Sequence, residues 1–395
     1  MRLGRFLKNP AVTTSEMMAA ARAELLPRVK DRDVLLIQDS SSLRDDGDKC
    51  GVYLHPTIAV DANDGALLGL LSADVLIRDE TPKPHCNKRP LADKESRRWV
   101  DAIALAEDVV AAGAASVTVV ADREADLYET FACRPEGVDV VIRVHHNRLL
   151  RDGSRLYEAG VILPGAKLIV DVPAGPGRTA RKARLTVRTG RVRILRPKRN
   201  RADDEAQALP ESVALTLVDV REAKPPPGEP GVHWRLLTGR TVTSRADVER
   251  IIGFYRRRWD IEQVFRVMKT RGFDVEAVPF EENAPLANLA CAILIAAIHI
   301  QQMLHDRDGR AGRPMQDAFA TGDRPIIEAI GQTLEGRTLR QRNPHPPDTL
   351  AHAAWICARL GGWTGYYGKP GPIVLIRGYA RLMAMIEGVK RFGLV

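Results

Sequence analysis

Residues 255–269 read YRRRWDIEQVFRVMK, and this stretch predicts a single helix. It contains no Gly or Pro and is rich in residues that favour helix. Ser244 lies at a suitable distance to cap the N-terminus, and Asp247 follows three residues later. One side of the helix is apolar and predicts packing against a core; its residues are Phe254, Ile261, Val264, Phe265 and Met268.

The edge beside this apolar side carries a row of polar groups. At about 100° per residue, the side chains of Tyr255, Arg258, Glu262 and Lys269 project from one narrow arc. A carboxylate among cations and a phenol suits a metal ion bound beside phosphates, with Glu262 holding the cation and the two basic residues holding anionic oxygens. The alternative is a solvated face on which neighbouring charges form i,i+4 ion pairs.

Length and charge limit the class of protein. The chain has 395 residues, 45% of them hydrophobic and 28% charged, which predicts a globular protein of two or three domains. Its formal net charge of +9 favours a polyanionic partner, nucleic acid before membrane. The alternative is a basic protein that binds no polyanion.

The cysteine positions and the hydropathy pattern argue against a disulfide-stabilised, zinc-binding, secreted or membrane-spanning protein. The five cysteines are scattered without a CxxC pair, and neither His85-Cys86 nor His145-His146 has partner ligands nearby in sequence, so no disulfide framework or zinc site is expected. The N-terminus lacks the apolar segment of a secretory signal. Polar residues interrupt the apolar run 286–304, which predicts a buried core helix rather than a membrane span. We therefore expect a cytoplasmic protein.

Two strongly apolar runs, residues 34–37 and 117–121, predict buried strands, and each is soon followed by an aspartate, Asp39 and Asp122. If the two strands are adjacent, these carboxylates meet at one edge of the sheet and repel each other unless a cation lies between them. Glu262 would be the third oxygen donor, and oxygen-only ligands point to Mg²⁺ or Mn²⁺. The alternative is that each aspartate caps a turn or a helix.

Other parts of the chain predict a mixture of strands and helices. Residues 94–112 are expected to be one helix. The region from about residue 147 to 230 alternates short apolar runs, among them 184–187 and 191–195, with Gly, Pro and Arg, which predicts a β-rich insert. Residues 280–395 are expected to be mainly helical.

Two motifs together are specific enough to indicate a family. Asp122 begins the sequence Asp-Arg-Glu-Ala-Asp, and the polar row of the predicted helix has the spacing Y-x2-R-x3-E-x6-K. The chain therefore resembles the DDE transposases of bacterial cut-and-paste insertion sequences, the insertion sequence 4 family, whose YREK motif it carries complete. Residues 36–43 (LIQDSSSL) and 94–99 (KESRRW) resemble further blocks of that family. The similarity runs from about residue 5 to about residue 388, with the blocks in the same order.

The resemblance implies an α/β fold: an RNase H-like catalytic core, a mixed sheet flanked by helices, with a β-rich insert and a helical C-terminal region. It implies five segments: a remnant of an N-terminal DNA-binding region (1–30), the first part of the core (31–146), the insert (147–233), the second part of the core with the catalytic Glu helix (234–279), and a helical region for dimerisation (280–395). It also implies a catalytic and metal-binding triad of Asp39, Asp122 and Glu262 with Mg²⁺, or Mn²⁺, as cofactor.

DNA-binding residues follow from the same resemblance. Tyr255, Arg258 and Lys269 would hold the DNA backbone near the cleaved transposon end. Trp234 stands where relatives stack a tryptophan on a flipped-out base, although it could equally be a strand core residue. Arg143 stands where relatives place a DNA-contacting arginine.

The insert adds a basic run between residues 178 and 201. Arg191 and Arg193 share one face of a predicted strand, with Val192 and Ile194 on the other, so the two arginines could contact phosphates. The alternative is that basic residues protect an edge strand from aggregation.

The expected function is Mg²⁺-dependent strand cleavage and strand transfer at transposon ends, through a hairpin intermediate. The expected partners are double-stranded DNA, as transposon ends and target, and a second copy in a homodimeric synaptic complex. No membrane partner is expected, and the protein would be nucleoid-associated in a bacterial cytoplasm. Because little sequence precedes Asp39, one alternative is an N-terminally truncated, non-catalytic inhibitor that dimerises with full-length transposase. Another alternative is a stand-alone nuclease of the same fold, which would cut DNA without joining it.

Overall fold

A computed structural model of the chain describes residues 2–45, 51–78, 89–175, 177–198, 208–270, 272–277 and 282–393. The chain forms two compact units. The helical unit comprises Met1–Asp33, Ser40–Glu80 and Trp259–Val395, and the sheet unit comprises Val34–Asp39 and Thr81–Arg258. His85, Cys86 and Cys50, which the sequence analysis considered as metal or disulfide ligands, lie outside the described residues.

The described strands are β1 (Asp33–Gln38), β2 (Ser41–Asp45), β3 (Gly51–Asp61), β4 (Leu67–Arg78), β5 (Ser116–Ala121), β6 (Val138–Arg143), β7 (Val161–Val172), β8 (Arg181–Leu195), β9 (Ser212–Glu222) and β10 (His233–Thr238). The described α-helices are α1 (Arg2–Leu7), α2 (Thr14–Leu25), α3 (Arg97–Ala104), α4 (Ala106–Ala111), α5 (Tyr128–Ala132), α6 (Arg245–Arg257), α7 (Trp259–Lys269), α8 (Asn283–Asp306), α9 (Arg324–Leu334), α10 (Leu350–Leu360) and α11 (Pro372–Phe392).

The sheet unit is built on a mixed sheet with the strand order β1-β5-β6-β10-β9-β8-β7. Strands β5 and β6 pair in parallel, whereas β6–β10, β10–β9, β9–β8 and β8–β7 are antiparallel. From Val117 to Ala121 every residue of β5 is buried, as expected for a strand covered on both faces. Helix α6 packs against β5, β6 and β7. Its N-terminus is closed by the predicted capping box of Ser244 and Asp247.

The helical unit contains an antiparallel β3–β4 hairpin, to which β2 adds as a third strand. Helices α2 and α8 pack against β4, and α8 also contacts α7, α10 and α11. Helix α8 is long and apolar enough to cross a membrane by length and composition, but 67% of its most apolar window is buried within the protein. It is thus the buried helix predicted over residues 286–304, and the described part of residues 280–395 is mainly helical as predicted.

Two predicted helices are each divided in two. The helix expected over residues 255–269 is interrupted at Arg258, where α6 has ended and α7 has not begun; the amide of Arg258 bonds to the carbonyl of Tyr255, three residues back. The backbone of Arg258 keeps right-handed helical angles, φ −50° and ψ −32°, so the interruption is one of hydrogen bonding and not of backbone conformation. The helix expected over residues 94–112 begins only at Arg97 and is divided at Leu105 into α3 and α4.

The insert also differs in detail. The strands expected at 184–187 and 191–195 are one strand, β8, because its ladder with β9 continues without a break through Gly190, which pairs with Leu217. Strand β2 was not predicted. The predicted division into five sequence segments stays a prediction.

Candidate active site

Asp39 and Asp122 lie directly beyond the ends of two neighbouring strands of the sheet unit. Asp39 follows β1 and Asp122 follows β5, and the two strands are adjacent in the strand order. Residues 34–37 of β1 and 117–121 of β5 are buried, and all of them except Thr118 are apolar, so each strand is fixed in the sheet. Asp39, which follows the buried Gln38, and Asp122 are thereby held at the edge of the sheet. The side chains of Asp39 and Asp122 are 18% and 26% exposed, so both carboxylates reach solvent.

Arg258 joins the two carboxylates. Its Nη1 donates to Oδ2 of Asp39 at 2.6 Å, and its Nη2 lies 4.0 Å from Oδ2 of Asp122. The Arg258 side chain is only 8% exposed. A single guanidinium therefore compensates two aspartates that would otherwise repel each other. The two strand-end carboxylates thus converge as predicted, and the positive group beside both of them is the guanidinium of Arg258.

Asp122 has a second role that the sequence analysis offered as an alternative. It caps the short 3₁₀ turn Arg123–Ala125, because its Oδ1 accepts a hydrogen bond from the amide of Arg123. The other carboxylate oxygen, Oδ2, is the one that faces Arg258. The cap fixes the side-chain rotamer of Asp122 and thereby the direction of the second oxygen.

Two further predicted residues of the sheet unit, Trp234 and Arg143, lie around Tyr255. The ring of Trp234 meets the Tyr255 ring edge to face, with centroids 5.8 Å apart. Arg143 of β6 pairs across the sheet with Leu236, which places it on the same face as Trp234, two residues away on β10. Nη2 of Arg143 approaches the carbonyl of His233 at 3.4 Å.

Tyr255 itself is buried. Burial raises the pKa of its phenol, and the charge of Asp122 acts in the same direction, whereas Arg143 and Arg258 act to lower it. Trp234 is half-buried and is absent from the fully buried core, so its ring is partly accessible to a ligand. The sequence analysis left a stacking role and a core role open for Trp234; in the structure it is an accessible strand residue packed on a buried phenol.

Glu262 and Lys269 belong to the helical unit. Both lie on α7 and are half-buried, and the apolar residues Ile261, Val264 and Met268 of that helix are buried as the pattern predicted. Nζ of Lys269 forms an ion pair with Oε1 of Glu276 at 2.7 Å. Among the residues that the structure describes, no group of three His, Cys, Asp or Glu side chains has a metal-binding arrangement.

A buried ion pair holds the Asp-Arg-Glu-Ala-Asp segment in place, and the sequence analysis missed it. Asp126 accepts hydrogen bonds from the amides of His145 and His146 at 2.7 and 2.8 Å, and pairs with Nη2 of Arg148 at 2.7 Å. The Asp126 and Arg148 side chains are 0% and 7% exposed. The motif named Asp126, but no local pattern marked Arg148, which lies 22 residues away.

A second ion pair links two of the blocks that carried the resemblance. Arg98, in the block at residues 94–99, pairs with Glu124 of the Asp-Arg-Glu-Ala-Asp segment at 3.2 Å. The Arg98 side chain is 12% exposed and that of Glu124 is 66% exposed, so the contact lies at the protein surface and contributes little by itself. It does tie the start of α3 to the turn that follows Asp122.

The insert's basic residues have different environments. Arg181 is paired with both Glu222 and Glu229, and its hydrogen bond lowers the pKa of the Glu222 carboxyl. Arg191 and Arg193 are exposed on one face of β8 while Val192 and Ile194 are buried on the other, as predicted. They bond to Thr216 and Ser212 at 3.0 and 3.4 Å.

A comparison with known families bears on this geometry. The sequence model of the family described as "Transposase DDE domain" matches residues 42–298. The matched stretch includes Asp122, Tyr255, Arg258 and Glu262 and begins three residues beyond Asp39. The α/β architecture, a mixed sheet flanked by helices, agrees with the RNase H-like fold of such domains. Because the match covers well over half of the chain, this protein belongs to the family of transposases with a DDE domain.

Proposed function

We propose that the protein is a transposase of the insertion sequence 4 type, which cleaves DNA strands at transposon ends and joins them to a target with the help of Mg²⁺ or Mn²⁺. The observation that supports this most directly is the shared guanidinium of Arg258, 2.6 Å from Asp39 and 4.0 Å from Asp122. Two partly exposed carboxylates beside one buried cation form an acidic edge that favours a further positive charge.

The donor set fits a hard divalent cation. Asp39 and Asp122 offer carboxylate oxygens at a sheet edge that solvent reaches, and oxygen donors are what Mg²⁺ and Mn²⁺ prefer. We take Glu262 as the third donor, on the strength of its position in the Y-x2-R-x3-E-x6-K motif. A metal ion bound by these residues would supply Lewis-acid stabilisation of the charge that develops on the phosphate.

The neighbouring side chains have roles that follow from their chemistry. Arg258 holds the carboxylates of Asp39 and Asp122 near each other, and we assign it a phosphate contact on the strength of its position in the Y-x2-R-x3-E-x6-K motif. The Tyr255 phenol is protonated at neutral pH, and burial raises its pKa further, so it can donate a hydrogen bond to an anionic oxygen without carrying charge itself. Arg143 and Lys269 would hold the DNA backbone as cations, with Arg191 and Arg193 adding contacts from the insert.

We further propose that Trp234 stabilises a hairpin intermediate. Its half-buried ring rests edge to face on Tyr255, which limits its motion while part of the ring remains accessible. An aromatic ring held in this way can stack on an unpaired base, an interaction of about 1–3 kcal/mol. The protein would act on double-stranded DNA as a homodimer in a synaptic complex, with residues 280–395 forming the dimer contact.

The decisive experiment is strand cleavage on duplexes that carry the element's own terminal repeats, with Mg²⁺, Mn²⁺ or no divalent ion. We expect divalent-dependent nicking followed by joining, and loss of both in Asp39→Asn and Asp122→Asn. Asp152→Asn is the matched control, because this exposed insert aspartate caps only its own turn through Ser154. Cleavage without joining would indicate a stand-alone nuclease. A chain that cleaves nothing but forms mixed dimers with a longer relative would indicate an inhibitor.

A further inference from the structure

One open face of the insert sheet carries four cations that form no ion pair with any residue the structure describes. Lys167 of β7, Lys182 and Arg184 of β8 and Arg221 of β9 are all exposed. Among the residues that the structure describes, none of these four forms a hydrogen bond or ion pair through its side chain. Their neighbours in the basic run differ, since Arg178, Arg181, Arg188, Arg191, Arg193 and Arg196 all donate to protein acceptors.

Strand register places the four cations on the same face. Lys167 lies opposite Thr186, and Thr186 lies opposite Arg221, so these three form one row across three strands. Arg184 lies opposite Ile169, and Lys182 lies opposite Asp171, in the next two rows of the same face. With strands about 4.8 Å apart and side chains on one face about 6.6 Å apart along a strand, the patch spans roughly 10 by 13 Å.

This basic face is the opposite side of the sheet from the candidate active site. Trp234 pairs with Val220, and Val220 pairs with Val187, so Trp234 shares a face with the buried residues of β8. Residues Leu168, Val170, Ala183, Leu185 and Val187 on that face are buried, and α6 packs there against β7. The alternation of side chains then requires Lys182, Arg184 and Arg221 to point away from Trp234.

Arg191 and Arg193 do not belong to this basic face. Burial along β8 changes phase at Gly190: odd-numbered residues are buried from Ala183 to Thr189, and even-numbered residues are buried at Val192 and Ile194. Arg191 and Arg193 therefore project to the same side as Ala183 and Leu185, on which Trp234 also lies. The basic residues of one strand thus serve two opposite surfaces.

We infer that the basic face formed by Lys167, Lys182, Arg184 and Arg221 binds the phosphate backbone of a nucleic-acid duplex other than the one held at Asp39 and Asp122. This inference rests on the proposed function for the identity of the polyanion. Cations on a solvated sheet face attract phosphates and release their condensed counter-ions, without reading the base sequence. Asp171, the exposed carboxylate opposite Lys182, reduces the charge of these rows but does not cancel it. The patch is comparable in extent to the width of the major groove of DNA, about 12 Å, so it can contact several phosphates at once.

The test compares Lys182→Gln/Arg184→Gln with wild type in the full chain. The matched control is Arg250→Gln/Arg256→Gln, which removes the same charge from exposed residues of α6, outside the basic face and outside the proposed dimer region. The probe is a fluorescein-labelled duplex of about three helical turns, roughly 30 bp, that lacks the terminal repeats. Its affinity is measured by anisotropy over a series of salt concentrations, and circular dichroism verifies that all variants are folded.

Loss of two phosphate contacts should make the slope of log K against log salt about 1.8 less steep, since each contact contributes about 0.9. We expect this change in Lys182→Gln/Arg184→Gln and the wild-type slope in the control. An equal slope in wild type and both variants would overturn the inference. Nicking of terminal-repeat DNA is followed in parallel. A wild-type chain that nicks nothing refutes the proposed function, yet the comparison of slopes still decides whether this face binds a duplex.

Discussion

Arg258 and Asp39 lie 219 residues apart in the sequence, and Nη1 of the arginine donates to Oδ2 of the aspartate at 2.6 Å. The arginine is buried, interrupts the helix predicted over residues 255–269, and has Asp122 as its second acidic neighbour at 4.0 Å. The same residue was predicted to contact DNA. In the folded chain its contacts hold the acidic edge together, whereas the DNA contact stays a prediction.

Replacing Arg258 with Ala should destabilise the protein. Removing one partner of a buried ion pair leaves the other charge uncompensated and typically costs about 3–5 kcal/mol. We expect a value near the lower end, because the Asp39 side chain is 18% exposed. Urea unfolding measures the loss. Arg256→Ala, at an exposed arginine in the last turn of α6, is the control and should change stability little.

Mg²⁺ should stabilise Arg258→Ala more than it stabilises wild type. Without the guanidinium, Asp39 and Asp122 repel each other, and a bound cation relieves that repulsion. The unfolding midpoint with and without Mg²⁺ measures this difference, and Ca²⁺ provides a second divalent ion for comparison. Equal stabilisation of both proteins would argue against metal binding by this pair.

Glu262→Gln should abolish divalent-dependent strand cleavage and leave the fold intact. The substitution keeps the shape of the side chain but removes the anionic oxygen that a metal ion requires. Because altering even residues that merely support metal ligands lowers activity about 10–100-fold, we expect a loss of at least about 100-fold. Gln263→Ala on the same helix is the control. Wild-type cleavage by Glu262→Gln would exclude this residue from the triad.

Trp234→Ala should impair hairpin formation more than first-strand nicking. Loss of about 1–3 kcal/mol of stacking corresponds to roughly 5–150-fold slower formation of an intermediate that needs a flipped-out base. Trp234→Phe keeps an aromatic ring against Tyr255 and should retain most of the activity. The two steps are separated on denaturing gels with end-labelled substrate. A similar effect on both steps would assign Trp234 to general DNA positioning instead.

Tyr255→Phe should alter how stability depends on alkaline pH. Burial raises the pKa of the Tyr255 phenol above its value in the unfolded chain, about 10. The folded state then holds this proton more tightly, so the stabilisation is complete below about pH 10 and is lost as pH rises through the folded-state pKa. Wild type should therefore lose more stability than the variant when pH increases above 10. Parallel stability curves would show that the phenol titrates normally.

Asp126→Asn should destabilise the protein without any direct part in the chemistry. The carboxylate accepts from two backbone amides and from Arg148, and an amide at this position cannot satisfy all of these donors. We expect a loss of about 3–5 kcal/mol in thermal or urea unfolding. Asp152→Asn, at an exposed turn, is the control. A near-neutral Asp126→Asn would mean that the loop at residues 145–148 is held by other contacts.

Much of the fold could be predicted from local pattern. The buried strands before Asp39 and Asp122, the capping box at Ser244 and the apolar helix at residues 286–304 are all present, because alternation, uninterrupted apolar runs and caps are encoded within a few residues. The predictions failed at Arg258 and Leu105, where the local pattern continues smoothly but the helix is divided, and at Gly190, where the local pattern predicts a break but the ladder with β9 continues.

The sequence by itself determined which functional groups are available: strand-end aspartates, the Y-x2-R-x3-E-x6-K row and an excess of cations. Only the tertiary structure decided the pairing of charges. It placed Arg258 between Asp39 and Asp122, buried Arg148 on Asp126, and left Lys182 and Arg184 on an open face while Arg181 was neutralised by Glu222. The physical reason is that an ion pair depends on a few ångströms in space between residues far apart in the chain, and neither composition nor periodicity carries that distance.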